Sequence, residues 1–578
     1  MHDVARDVAI LIASKEEVGF KSFVRAGAEL KGLLRGLQWE EYMRISLMRS
    51  RIDELPEGIM HCPNLLTLMM AENKELSEIK GWFFEETKGL RVLDLSNTAI
   101  TRLPISLSNL LNLQVLCLRY CRFGKLGCLS PVGGLKQLES LDLSYNDDLC
   151  ELPVELGELI NLRSLNLTYT SSLAIVPHGI ISRLAHLEEL KMLGSFSKWE
   201  VGVKEEEARS SSNCTLAEVA SLAELSCLCL HIADLDRFPQ DYARLKSLEK
   251  LKKFHLYIYQ SEYEMYAYTL SLGFTSDSFR RTVLIGCIPI TRWVNMILQQ
   301  TTQIALFHSK GLRTLDEFGN LPSVQKIHLF YCNDMECVFS AREAPATWLK
   351  NHVVHSTSFP RMENLTRLLV RECDRVEHVF AGTQSMLQDD VLPRLQSLSF
   401  ENLKNMRSIW AMGLVGTFKN LAHLDFQCCT VLKKNALSSE QIKGGLPNLV
   451  ELSVGSCYEI EEIISDVADN EGLLPKLREL RLYKLPELVR ICGGNGELPL
   501  PQLDWHSLQE ISVHKCPKLN KLLPLQRGAQ GAPSLREVRG EKEWWETLDW
   551  DEDDDIKAYF QPFFIEERAQ WDSFGEAT

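Results

Sequence analysis

The feature that most constrains this 578-residue chain is a phrase that repeats. LRVLDLSNT (Leu90 to Thr98), LQVLCLRYC (Leu113 to Cys121), LESLDLSYN (Leu138 to Asn146) and LRSLNLTYT (Leu162 to Thr170) share L-x-x-L-x-L and recur about every 24 residues. Successive side chains of a strand point to opposite faces, so the leucines of L-x-L turn inward and the residues between them turn outward. Leu103-Pro104, Leu152-Pro153 and Val176-Pro177 stand between the copies, each opening a return segment such as VELGELINL, Val154 to Leu162. A single turn of this kind cannot bury its apolar face, so the turns must stack.

This is the leucine-rich-repeat pattern. It predicts an α/β solenoid: a horseshoe with a concave parallel β-sheet, a short N-terminal helical remnant and a C-terminal cap. The second half keeps the rule at a longer period. VQKIHLFYC (Val324 to Cys332), LTRLLVREC (Leu365 to Cys373), LAHLDFQCC (Leu421 to Cys429), LVELSVGSC (Leu449 to Cys457) and LQEISVHKC (Leu508 to Cys516) end in cysteine. LQSLSFENL (Leu395 to Leu403) and LRELRLYKL (Leu477 to Leu485) end in leucine. That last position turns the chain out of the strand and takes a small residue facing the interior, so the cysteines read as a structural column rather than a metal or redox site. The organisation expected is a helical segment over 1–40, regular repeats over 41–192, degenerate repeats with an inserted loop over 193–312, Cys-type repeats over 313–540 and an aromatic and acidic cap over 541–578. Gly194 to Thr215 and Ala341 to Phe359 read as surface excursions. Trp544, Trp545, Leu548, Trp550, Tyr559, Phe560 and Phe563 are expected to cover the last core edge.

A net charge of -15 argues against nucleic acid and anionic membranes as partners, because both need basic surface. There is no apolar run of the roughly 20 residues that a membrane-spanning helix needs, and no C-x-x-C pair. The opening MHDVARDVAILIAS (Met1 to Ser14) reads as a short amphipathic helix with Val4, Val8, Ala9 and Ile12 on one side, not as a secretory leader, so a reducing compartment is expected and the sequons at Asn166, Asn213 and Asn364 read as chance. Phosphate-loop, nucleophile-elbow, zinc-helix and kinase signatures are all missing, so no enzyme is expected, no catalytic residue is assigned and no metal site is assigned. Asp551 to Asp555 could hold a divalent ion but reads as a solvated loop.

MHDVARDVAILIAS, FVRAGAELK (Phe23 to Lys31), WEEYMRISLMRSRIDELP (Trp39 to Pro56), the Cys-ended repeats and the WWETLDWDEDDD tail together resemble the plant nucleotide-binding leucine-rich-repeat disease resistance proteins of the coiled-coil class. The resemblance implies that Met1, His2 and Asp3 sit on a motif whose histidine contacts the phosphate of bound ADP. The coiled coil, the phosphate loop and most of the winged helix are absent from this sequence. No cofactor of its own is therefore expected, and ADP or ATP only where an upstream module is present; the chain reads as a truncated receptor or a reading frame begun at an internal methionine. The resemblance further implies cytoplasmic recognition of a pathogen effector or a guarded host protein, and restraint of a nucleotide-binding domain, with nuclear or peripheral plasma-membrane association as variants. The competing reading is an intracellular repeat adaptor, such as a ubiquitin-ligase substrate receptor. Outward strand positions supply the protein-binding candidates: Arg119, Asp142, Asn166, Lys191, His328, Arg371, Asp425, Glu451, Arg481, Tyr483 and His514. Arg371, Arg481 and Tyr483 come first, since arginine and tyrosine are enriched at interface hot spots.

Overall fold

The computed structural model describes residues 21–24, 39–55, 62–124, 128–199, 213–233, 250–259, 281–286, 297–340, 362–381, 392–411, 418–430, 432, 434–439, 442, 445–465, 474–492, 507–520, 522, 534–550 and 554–567. They fall in two compact units, Met1–Leu284 and Ile285–Thr578.

In the first unit, parallel strands stack in sequence order. They run through Lys21–Val24, Tyr42–Ser46, Thr67–Met69, Val92–Asp94, Val115–Cys117, Ser140–Asp142, Ser164–Asn166, Glu189–Met192, Cys227–Ile232 and Lys253–Ile258. The register aligns the central leucines: Leu93, Leu116, Leu141, Leu165 and Leu190 oppose one another and are buried. The return segments follow from their own leucine spacing. In Ile105–Asn109 and Val154–Glu158 the chain takes 3-10 turns, with three residues per turn, so leucines three apart line one side. Leu107, Leu110 and Leu113, and likewise Leu156, Leu159 and Leu162, are all buried. The same backbone bond closes each turn, Leu110 N–H to Leu107 O and Leu159 N–H to Leu156 O.

A second column closes the interior behind the strands. Asn73 donates to the carbonyls of Leu47 and Met70 at 2.9 and 2.7 Å and accepts from the amides of Ser50 and Ile52 at 3.0 and 3.1 Å. Asn146 donates to Leu118 and Leu143 in the same way at 2.8 and 2.7 Å. Backbone groups that no strand partner reaches are thereby satisfied. In the second unit cysteine holds this place: Cys332, Cys373, Cys429, Cys457 and Cys516 are buried. The thiols of Cys373, Cys457 and Cys516 donate to the carbonyls of Arg371, Gly455 and His514 at 3.4, 3.3 and 3.3 Å. None of these five column cysteines is in a disulfide.

The second unit is likewise a parallel ladder, through Gln303–Phe307, Lys326–Phe330, Arg367–Arg371, Ser397–Glu401, His423–Gln427, Glu451–Gly455, Glu479–Tyr483, Glu510–His514, Glu537–Gly540 and Phe564–Glu566. Two small three-stranded parallel sheets, one of Cys337–Ser340, His378–Ala381 and Ser408–Trp410 and one of Lys434–Ser438, Ile460–Ser465 and Arg490–Cys492, form in its return segments.

Several expectations shift. Within the segment expected to be helical, Lys21–Val24 is a strand that pairs with Tyr42–Ser46; residues 1–20 lie outside the described residues. Phe196 and Trp199, inside the expected surface excursion, are buried and meet edge to face at 5.0 Å, with Trp199 Nε1 donating to the His231 carbonyl at 2.8 Å. Two large rings gain too much from burial to stay at the surface. Thr215 at the other end caps the helix Leu216–Ala220. Residues 200–212 and 341–361 lie outside the described residues. Trp544, Trp545, Leu548 and Phe560 are buried as a cap, but Tyr559 is exposed, and the ladder extends one strand further than the leucine pattern does: Phe564, stacked on Trp545 at 4.4 Å, belongs to Phe564–Glu566. Asp551 to Asp553 lie outside the described residues.

Candidate protein-binding face

Outward positions of the strands form rows across each unit. In the first unit Asp142, Asn166 and Lys191 oppose one another in register. Asp142 accepts from the Ser144 amide at 2.9 Å and the Ser144 hydroxyl at 2.6 Å, and its other oxygen lies 4.0 Å from Arg119 Nε. Asn166 accepts from the Thr168 amide at 3.1 Å, and Lys191 Nζ pairs with Glu189 at 2.8 Å. Arg119 and Asp142 thus face each other, Asp142 and Asn166 brace their own strand exits, Lys191 is held by Glu189, and part of each of the four side chains stays in solvent.

Beside them runs a feature that the outward count missed. Tyr120, Tyr145 and Tyr169 each leave their strand with positive φ, 51, 61 and 55°. Tyr120 stacks on Tyr145 at 4.4 Å and Tyr145 leans on Tyr169 at 5.1 Å, while the Arg119 guanidinium sits 5.2 Å from the Tyr145 ring centre. The common x-Y-x after each L-x-L was the signal in the sequence. The ladder stops at Gly194, whose φ of 58° continues the column and whose missing Cβ makes room for the Tyr169 ring.

In the second unit Arg371 Nε lies 3.4 Å from Glu401, and burial pushes the Glu401 carboxyl up against the opposing pull of that arginine. Asp425 is pushed up by burial too, opposed by the Gln427 amide, which donates to it at 2.9 Å and to Ser453 Oγ at 3.2 Å. Gln427 reaches both because its side chain lies over Gly455, where a Cβ would collide with it. Arg481 joins Glu451 to Glu479, reaching the latter at 2.5 Å. The Tyr483 ring has Lys484 and Lys515 ammonium groups 5.1 and 5.9 Å from its centre, and its hydroxyl is buried without a hydrogen-bond partner among the described residues.

Two candidates are not displayed. His328 is buried, and His514 is only 3% exposed, with Nε2 at 3.3 Å from Ser512 Oγ and 3.8 Å from Glu567. His328 belongs to a stretch in which strands are buried on both faces: in Lys326–Phe330 only Lys326 is not fully enclosed. His2 and Asp3 lie outside the described residues. Glu479, Glu510, Glu537 and Arg539, absent from the outward count, occupy the same face; the three glutamates hold the position that selected Glu451, and Arg539 the one that selected Arg481. Among the described residues no three His, Cys, Asp or Glu side chains are grouped to hold a metal ion, and no helix is long and apolar enough to cross a membrane.

Stacked leucine turns in a parallel ladder, closed by an asparagine and cysteine column and presenting rows of polar side chains, define a leucine-rich-repeat protein. Residues 344–435 and 414–530 match the family described as plant disease resistance protein RPS2-like, leucine-rich repeats. Over 98% of its length the chain is 27% identical to disease resistance protein At4g27190 of Arabidopsis thaliana, covering 51% of that protein. It is 31% identical over 92% of its length to the probable disease resistance protein At4g27220 of the same plant, covering 52%. A solved leucine-rich-repeat protein of Leptospira interrogans aligns at 19% identity and a TM-score of 0.39, over 76% of this chain and 95% of that one. Along almost its whole length the chain is thus a leucine-rich-repeat region similar to those of plant disease resistance proteins. It spans about half the length of the curated relatives it matches.

Proposed function

We propose that this chain is the recognition region of a plant intracellular immune receptor: it binds a pathogen effector or a guarded host protein through its outward strand rows and restrains a nucleotide-binding module until that binding occurs. The observation that carries this reading is the match along almost the whole chain to resistance proteins about twice as long. A rigid parallel sheet supports it, because side chains on its outer rows can change without disturbing the leucine core. In this reading the chain works by binding rather than by catalysis, in the cytoplasm, and hydrolyses no nucleotide itself. His2 and Asp3 contact ADP only in a parent protein that supplies the other phosphate donors, because a single histidine is too few to hold a phosphate.

The test joins the chain to the nucleotide-binding portion of a longer relative and expresses the fusion in leaf tissue. Cell death should stay restrained until a matched effector is supplied, and Arg119→Glu, Arg371→Glu and Arg481→Glu together should uncouple that response at unchanged protein level. Cell death that ignores both effector and substitutions would overturn the reading.

A further inference from the structure

The first outward row of the second unit changes sign along the sheet. Lys326 and Arg367 oppose each other at one end; further along, Glu451, Glu479, Glu510 and Glu537 stand on four consecutive strands in register. Like charges on opposed positions destabilise a sheet, so fold stability does not call for this row. Two guanidinium groups are interleaved with it. Arg481 bridges Glu451 and Glu479, and Arg539 lies 3.5, 2.6 and 3.9 Å from Glu510, Glu537 and Glu567. His423 adds a contact to Glu451 at 2.9 Å. Carboxylates still outnumber guanidinium groups here, and their side chains are 22 to 37% exposed. Lys484 and Lys515 lie beside Tyr483, at the other end of its strand from Glu479.

Spacing decides what shape of cation fits. Opposed positions on parallel strands are about 4.8 Å apart, and same-side residues of an extended peptide laid along the row are about 6.7 Å apart. One helical turn advances about 5.4 Å. Over the three intervals between four glutamates, a helix falls out of step by about 2 Å and an extended peptide by about 6 Å. Flexible lysine and arginine stems absorb the first mismatch and not the second.

We propose that the sheet face from Glu451–Gly455 to Glu537–Gly540 receives a basic helix of a protein partner, whose lysines or arginines at i, i+3 or i+4, i+7 and i+11 meet the four glutamates of the row. This rests on the reading of the outward rows as a recognition surface and adds the chemistry and shape of what they recognise.

The probes are synthetic helix-forming peptides of about 15 residues, long enough to hold a helix. One carries four lysines along a single helical face, one has the same composition with the lysines spread around the helix, and one has the striped lysines replaced by glutamates. Anisotropy titrations against the full chain should show the striped peptide binding at least roughly tenfold tighter than the spread one, weakening as salt rises, with no binding of the acidic peptide. Glu451→Gln, Glu479→Gln, Glu510→Gln and Glu537→Gln together should remove that preference. Glu75→Gln, Glu78→Gln, Glu85→Gln and Glu86→Gln, the same charge change elsewhere on the surface, should leave it intact. Equal binding of striped and spread peptides, or equal loss in both variants, overturns the proposal, and the peptide comparison alone needs no altered protein. If it fails while the leaf assay still responds to face substitutions, the partner chemistry falls and the recognition reading stands; if the leaf assay is silent as well, both fall.

Discussion

Gly194 lies against the ring of Tyr169 so closely that a Cβ at the glycine would sit 2.6 Å from Tyr169 Cδ1. The glycine also holds a φ of 58°, which L residues adopt at a cost. Gly194→Ala should therefore lower stability by about 1 to 3 kcal/mol and displace Tyr169, since strain and overpacking add. Thermal unfolding gives the first quantity, and the exposure of tyrosine to quenchers gives the second. An alanine variant as stable as the parent would mean that the aromatic column tolerates a shift.

Asn146→Ala should cost more than its small volume suggests. The amide satisfies the Leu118 and Leu143 carbonyls in the interior, and stranding buried acceptors costs about 1 to 3 kcal/mol. Asn146→Cys, which copies the residue used by the later turns, should recover part of the loss. Denaturant unfolding of the three proteins ranks them directly.

Tyr483→Phe points the other way. The hydroxyl is buried and makes no hydrogen bond among the described residues, so removing it should leave stability unchanged or raise it by up to about 1 kcal/mol. A clear loss of stability in denaturant unfolding would show that the hydroxyl contributes to the fold.

Stability should fall at both ends of the pH range, for opposite reasons. Burial holds His328 down to about 4, below its ordinary 6.5, so its contribution is present above pH 6.5 and disappears as pH falls towards 4. Burial pushes Asp316 up to about 7 from 3.8, so its contribution is complete below pH 3.8 and is lost as pH rises through 7. His328→Phe should flatten the acid limb, and Asp316→Asn the alkaline limb, each by on the order of 1 kcal/mol. Melting temperatures between pH 4 and 8 for the three proteins test the pair, and limbs unchanged by the substitutions would assign the pH dependence to other groups.

The leucine phrase made the core legible. Leu116, Leu141 and Leu165 oppose one another as their spacing implies, and the cysteine-ended phrases give a buried column. The face was harder to read. Alternation tells which side of a strand a residue leaves from, not what lies above it, and so His328 and His514 counted as outward although both are buried. The counting also passed over Glu479, Glu510 and Glu537, which share a row with Glu451. Tyr120, Tyr145 and Tyr169 occupy left-handed turns, where period-two reasoning says nothing about direction. The strands Lys21–Val24 and Phe564–Glu566 carry no leucine, so no pattern announced them.

Each strand exit is also a fixed joint. Tyr120, Tyr145 and Tyr169 come four residues after Leu116, Leu141 and Leu165, and the amide of each donates to the following turn, at the carbonyls of Ser144, Thr168 and Leu193. A residue gained or lost between leucine and joint would break that bond and turn the outer rows inward, whereas the return segments differ widely in length. Inheritance in such a chain thus has two separate currencies. Unequal exchange can add or delete whole turns, lengthening or shortening the reading surface by complete rows, and drift in the return loops can proceed residue by residue without disturbing the order of those rows.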